Sequence, residues 1–494
     1  MSAGGPEPAA SAAPPGETPP LAPPRRGRRR LALYLWTVAL AVVAVIVAGR
    51  YGPVTPGGRA FVEGLLDGLK AGPYGQVHVE GLEGDIWGDF TIRRLTVNDV
   101  HGTWLDARWI RMRWKWSELL SRRLDVDAAD ARLVTVLRQP VAAATPASRG
   151  GSPVSVHIGA LTTQLELLPA FSTRYGLYDL SGSMDLRREG GAAGRLAAAS
   201  RTHVGDRVDA DFDLGRDKTI RLAVQAHEAN GGALAGALGL AADQPFAVNA
   251  SASGAVSQGR FHVDSRSGPL VPLAADGAWT PQGGAATGAI VLAASRRLAW
   301  FQHWFGPDVR FSVTGAKAPD ALHDLVLRLT SENIELTAHG EADIGHRLVG
   351  RKGVLVAILA RQGQRFLGFP QMGGARLNGL LTGGGDHWTL AGVAQADDPT
   401  AFGYRLASVR GPVTFEWKGG QLDIGATADG AGGAGRGVIA AVMGARPHAT
   451  AQLVWLTDGR VLIQSLNVLG PGLKVAARGD RSPFGGLSFR GQAS

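Results

Sequence analysis

The sequence predicts an all-β body carried behind a single membrane-spanning helix, and three observations predict it. Seventy of 494 residues are glycine, about twice the usual share, which favours many turns over long helices. Segment after segment alternates apolar and polar residues with period two, while helical periodicity is confined to a few short stretches. A chain this long exceeds one compact core, so several domains or an elongated repeating body is expected. Apolar residues at 45% and charged residues at 19% exclude both wholesale disorder and a polytopic membrane protein.

Residues 1–30 are rich in Ala, Pro, Gly and Ser and read as a disordered cytoplasmic tail. The formal charge of +9 invites a nucleic-acid reading until it is located. Arg25, Arg26, Arg28, Arg29 and Arg30 form one run beside an apolar segment, which is a topology signal, so no nucleic-acid partner is expected. Residues 31–49 carry no charge, and at ~1.5 Å per residue they cover roughly 28 Å, close to the ~30 Å hydrocarbon core. The arginines precede this span and only Arg50 follows it, so the N-terminus faces the cytoplasm and the body is exported. Tyr34, Trp36 and Tyr51 suit interfacial anchoring. A cleaved signal peptide would need a shorter apolar core and a small-x-small site, which Val45-Ile46-Val47-Ala48 does not supply.

Residues 50–73 contain Phe61, Val62, Leu65, Leu66 and Leu69 at helical spacing, a short amphipathic helix just beyond the membrane. From residue 74 the period becomes two. Val77 and Val79 share a face; Phe90 and Ile92 alternate before Arg93-Arg94, and Leu95 and Val97 after it, as across a bulge. Residues 108–116 form the clearest strand, with Ile110, Met112, Trp114 and Trp116 opposite Arg111, Arg113 and Lys115. A one-turn helix capped by Ser117 and a strand over 124–138 follow. Residues 141–153 are a linker, and 154–494 a repetitive β-rich body. Within that body Leu325, Leu327 and Leu329, a turn, then Ile334 and Leu336 make a hairpin; 461–479 repeats this grammar around Gly470-Pro471-Gly472. Residues 234–242 and 298–305 are helical interruptions.

Two-faced strands need a cover for the apolar face, since exposed apolar surface costs ~25 cal/mol per Å². The helical segments are too few and short to supply it, leaving a second sheet, barrel closure, or an apolar ligand along a curved open sheet. A sandwich is the commoner solution. In the third case the ligand would lie on Val77, Val79, Phe90, Ile92, Ile110, Met112, Trp114, Trp116, Leu325, Leu327, Leu329, Ile334 and Leu336. The five tryptophans from Trp87 to Trp116 read first as ordinary core and second as the rim of such a groove.

No catalytic set is evident, and an enzyme is not expected. Without cysteine, disulfides, thiolate metal sites and thiol chemistry are excluded. The twelve histidines are scattered without ligand spacing, and there is no G-x-S-x-G elbow. Residues 430–435 satisfy G-x-G-x-x-G, but with no helix expected after them they read as a glycine-rich turn. Asp125, Asp127 and Asp130 lack the glycine and glutamate of a calcium loop and read as a solvated strand edge. Neither a cofactor nor a metal is expected.

Glu80-Gly81-Leu82-Glu83-Gly84-Asp85-Ile86-Trp87-Gly88, Ile92, Leu95, Asn98-Asp99, Gly102-Thr103-Trp104-Leu105, the Trp-rich strand to Trp116, Ser117 with Leu119-Leu120, and residues 130–140 together resemble the N-terminus of the TamB family. These are AsmA-like inner-membrane components of the translocation and assembly module. The resemblance covers residues 74–140; the downstream units are compatible with it. It implies an elongated folded-over sheet, a β-taco with an apolar groove, anchored in the inner membrane and lying in the periplasm. It also implies phospholipid moving toward the outer membrane, or outer-membrane protein assembly with a barrel partner of the TamA/BamA type. Members of that family are usually longer, and their barrel-contacting C-terminal domain is not evident here.

Overall fold

The computed structural model describes residues 74–141, 155–187, 191–318 without 216 and 242, 322–343, 348–361, 373–494 without 402 and 483–485, and scattered positions from 55 to 67. The tail and the anchor expected at 31–49 lie outside these residues. Among the described residues no helix is long and apolar enough to cross a membrane. The chain divides into units 1–61 and 62–494, and the second holds every strand.

The fold is all-β, as the alternation predicts. The first block comprises β1 (Gln76–Gly84), β2 (Asp89–Asp99), β3 (Gly102–Lys115) and β4 (Arg123–Val136), followed by β5 (Ser155–Leu167), β6 (Gly176–Leu186), β7 (Ala192–Ser200), β8 (Arg207–Leu214) and β9 (Thr219–Glu228). Next come β10 (Phe246–Ala255), β11 (Gly259–Ser267), β12 (Leu273–Thr280), β13 (Gly283–Val291), β14 (Asp308–Lys317), β15 (His323–Ser331) and β16 (Ile334–Asp343). The remainder are β17 (Leu348–Ala360), β18 (Gly374–Gly384), β19 (His387–Asp397), β20 (Thr400–Ala401), β21 (Tyr404–Arg405), β22 (Ser408–Lys418), β23 (Gln421–Ala431), β24 (Ala434–Gly435), β25 (His448–Trp455), β26 (Val461–Gly470), β27 (Leu473–Arg481) and β28 (Leu487–Ala493).

Twenty-five strands form one sheet; β20, β21 and β24 form a small separate one. In the large sheet each strand pairs antiparallel with its neighbour in the chain, as in β8 with β9 and β15 with β16. The exception is β4 with β5, which run parallel, Arg123 opposite Ser155. A parallel pair needs a long crossover, and the predicted linker is that crossover. Its start is tied down: Arg138 donates to both Asp99 carboxylate oxygens and, at 2.8 Å, to the Gly102 carbonyl, and the Val141 N–H reaches Asp99 at 2.7 Å.

The Arg138 hydrogen bonds hold the Asp99 carboxyl well below the usual carboxylate range, outweighing its desolvation. With the folded value below the unfolded one, this tether stabilises the fold above the ordinary aspartate range. The stabilisation is lost as pH falls through the depressed folded value. Asp99→Asn should therefore melt below wild type at pH 7, and the gap in Tm should close on titration below pH ~3.

One expectation is corrected at Arg93-Arg94. The β1·β2 register is continuous there, with Glu80 opposite Arg94 and Leu82 opposite Ile92. The shift runs through four strands instead of one. Glu80-Gly81, Arg93-Arg94, Arg108-Trp109 and Arg132-Leu133 each interrupt the alternation, and Gly81 and Trp109 take positive φ of 72° and 53°. Since all four strands flip together, the apolar side chains stay on one face. β5 does not follow, and the β4·β5 register shifts between Ala131 and Val134. Trp116 is also corrected: it leaves the strand and opens a 3₁₀ turn, Trp116–Ser121, one residue before the expected cap.

The two long edges of the sheet differ. One consists of tight hairpin turns, such as β12–β13, β18–β19 and β22–β23. From the other edge the chain makes its excursions: α1 (Ala233–Ala237), a 3₁₀ turn (Leu292–Ala294), α2 (Ala299–Phe305), the small sheet and α3 (Val438–Met443). The helices at 234–242 and 298–305 were expected from sequence. α3 was not, and it opens after the glycine-rich turn.

Candidate functional site

Following the register across the sheet, the side chains of one face are mostly apolar. Starting at Ile92, the opposed residues run Ile110, Ala131, Thr163, Leu180, Ala198, Val208, Ala226 and Val248. The same row passes through Ser265, Leu273, Ile290 and Val309, and nearer the hairpin edge of that face a second row runs Val313, Leu327, Ala338, Val356, Gly379 and Gly392 to Val413, Ala426, Ala451, Leu466 and Ala477. Among the described residues the only other sheet is built of two-residue strands, so no second sheet layer covers this face. Among the described residues three clusters of buried hydrophobic residues form along it, the last reaching Ala294.

Glycines explain how this face holds large side chains without a second layer. Opposed pairs set a glycine beneath a ring: Gly194 under Phe212, Gly259 under Trp279, Gly277 under Phe261, Gly288 under Phe311 and Gly479 under Phe489. A Cβ at each glycine would strike or crowd its ring, so the rings lie flat across the neighbouring strand. Gly194→Val should lift Phe212 and cost about 1–3 kcal/mol. In a double-mutant cycle with Phe212→Ala, thermal melts should show much of that penalty disappearing.

The predicted residues are divided by the structure into two groups. Val79 and Ile92 are buried with Leu82 and Ile86, with Val77, Phe90, Ile110 and Met112 packed around them, so this end is a closed core. Glu63, from the predicted amphipathic segment, accepts the Leu82 N–H, and Asp67 pairs with His78 at 2.7 Å. Trp114 meets Phe90 edge-on and donates its indole N–H to the Ile86 carbonyl at 2.6 Å. Trp116 packs against Trp87. Leu325, Leu327, Leu329 and Leu336 are half-buried on the open stretch, opposite Gly340, Ala338 and each other, while Ile334 is buried at its edge.

The opposite face is polar and internally neutralised. Asp106 lies between Arg94 and Arg108 at 3.1 and 3.0 Å; burial alone would raise its pKa, but these bonds prevail and hold it below the ordinary range. Arg111 pairs with Asp89, and Lys115 with Asp127 at 2.8 Å. Hence two cations of the expected basic face are matched by carboxylates from adjacent strands. A depression of 660 Å³ lies on this side, among Ser251, Ser253, Arg260, His262, Asp276 and Thr287. Small side chains stand there between charged ones. Val326, Leu355, Leu380 and Val393 interrupt the polarity locally.

Along the excursion edge, the apolar face acquires a wall that sequence reasoning missed. Ala233 and Phe171 pack on Val136, Leu167 and Tyr178; Ala235, Leu240 and Ala294 pack on Phe246 and Val248. Glu228 fixes the wall. This carboxylate is fully buried on the apolar side and accepts the Leu234 and Ala235 N–H groups at 2.8 and 2.9 Å and the Tyr178 hydroxyl at 3.1 Å. Burial, reinforced by Glu228, pushes the Tyr178 hydroxyl well above its ordinary pKa. Gln139 joins the excursions by donating to the Phe171 and Ala237 carbonyls while accepting from Arg297.

The remaining motifs hold no site. Gly430 and Gly433 N–H groups are taken by the Pro447 and Ala445 carbonyls, so the glycine-rich turn cradles no phosphate. Among the described residues no group of acidic or histidine side chains is arranged to hold a metal ion.

Fold and face together define a class: a β protein built on one mostly antiparallel sheet with faces of opposite polarity. No protein-family model matches the chain, and no curated protein matches it.

Proposed function

We propose that this chain is a non-enzymatic phospholipid conduit, anchored in the inner membrane by residues 31–49 with its body in the periplasm. Acyl chains lie on the apolar face of a folded-over sheet and head groups remain in water. The observation that carries this reading is the mostly apolar face of the 25-stranded sheet, without a second sheet over it among the described residues. Leaving that face to water would be costly, and a mobile apolar ligand relieves the cost. The arginine run before the apolar span supports the orientation.

Native mass spectrometry of the full chain, purified in detergent, tests the proposal. Several phospholipids per chain are expected; a chain consistently empty would refute it. Crosslinks from sheet-edge positions to barrel proteins, in place of lipid, would instead favour an assembly factor working with an outer-membrane barrel.

A further inference from the structure

We infer that phospholipid occupies a specific lane of the apolar face, beside the hairpin edge, with its head groups at that edge. This deepens the conduit reading and rests on it. The first observation is exposure. Where the wall covers the face, Tyr178 and Phe246 are 3% and 2% exposed; nearer the hairpins, Met184, Leu196, Leu214 and Leu222 on the same face are 39%, 37%, 41% and 37% exposed. The uncovered lane is therefore displaced toward the hairpin edge.

The second observation is its width. From Val224 to Ile220, where β9 reaches the hairpin edge, four residues at ~3.3 Å span roughly 13 Å. Half of a ~30 Å hydrocarbon core is ~15 Å, so one extended acyl chain lying along a strand fills the lane.

The third observation fixes the polarity. Trp114, Trp279, Trp417 and Trp455 occupy the last or next-to-last strand position before the turns of this one edge, and Trp388 the second position after one, all on the apolar face. All are half-buried; Trp388 and Trp417 stack with centroids 6.3 Å apart. Trp114 and Trp279 aim their indole N–H groups at the turn carbonyls of Ile86 and Ala255. Tryptophan collects where one end is apolar and the other wet, as at a bilayer's head-group level. Trp104 and Trp304 stand at the excursion edge, but Trp104 packs into the buried cluster beneath α1 and Trp304 belongs to α2, so the edge closed by α1 and Leu240 lacks the row of strand-end tryptophans.

The chain has no cysteine, so single cysteines carry a fluorophore without background. Gln282→Cys and Asp386→Cys mark the hairpin edge, Leu222→Cys the lane and Leu238→Cys the excursion edge. The full-length labelled chain is loaded with phosphatidylcholine bearing a nitroxide on its head group or at its acyl end. Head-group nitroxide is expected to quench the hairpin-edge sites at least threefold more than Leu238→Cys, and acyl-end nitroxide to quench Leu222→Cys more than either hairpin site. Head-group quenching that is equal at both edges, or stronger at Leu238→Cys, overturns the assignment of edge and lane while leaving the conduit intact. Absence of quenching by either probe at all four sites overturns the conduit itself.

Discussion

Placing a row of carboxylates across the apolar face, with Val313, Leu327 and Ala338 all replaced by aspartate, is expected to abolish lipid co-purification downstream of that row. These residues oppose one another on β14, β15 and β16, so the three charges form one barrier across the strands' midline. Leu327 is half-buried, so its replacement should leave the chain folded. An aspartate at the centre of a lipid-like medium costs about 2.5–3.5 kcal/mol, so even one charge should cut local occupancy by two orders of magnitude. Val326→Asp supplies the control, since Val326 is 45% exposed on the opposite face and should leave lipid content unchanged. Equal lipid in the triple variant and the control would sink the conduit reading.

Replacing Glu228 by alanine should release the wall. The substitution removes one acceptor group but strands three donors, the two α1 N–H groups and the Tyr178 hydroxyl, in a region closed to water. Each unmet buried donor costs about 1–3 kcal/mol, so a loss of ~3 kcal/mol or more is expected. Hydrogen exchange should detect it as faster exchange at residues 233–240, with strands beyond β14 unaffected, because opening follows local stability. Glu228→Gln keeps one acceptor and should fall between the two. An unchanged exchange pattern in the alanine variant would mean that apolar packing alone holds the wall.

Much of the sheet was legible because a half-buried strand writes its faces into the sequence as period two. The hairpin at residues 461–479 is found as expected, β26 and β27 closing on Pro471-Gly472. The interruptions near 234 and 298 are helices. The features that failed depend on partners distant in sequence. A double-residue shift at Arg93-Arg94 looks like a bulge until Gly81 and Trp109 are aligned beside it. The glycine-under-ring pairs are visible only once register is known. Nothing around Glu228 distinguishes it from a solvated strand terminus; the sole hint is the small-residue segment after it, short enough to need a side-chain anchor. Trp116 continued the alternation perfectly, yet the chain had to turn there to begin β4.

The neighbour-only pairing of the sheet bears on how such a protein is made and how its length can change. Apart from the β4·β5 crossover, no described strand awaits a partner synthesised much later, so sequence separation between contacts stays small and each hairpin can add to the last as the chain is made. Inserting or deleting one hairpin preserves both facial polarity and edge identity, and changes the sheet by ~9.6 Å. The length of the sheet is thereby adjustable in whole-hairpin steps, which gives an evolving lineage a simple ruler.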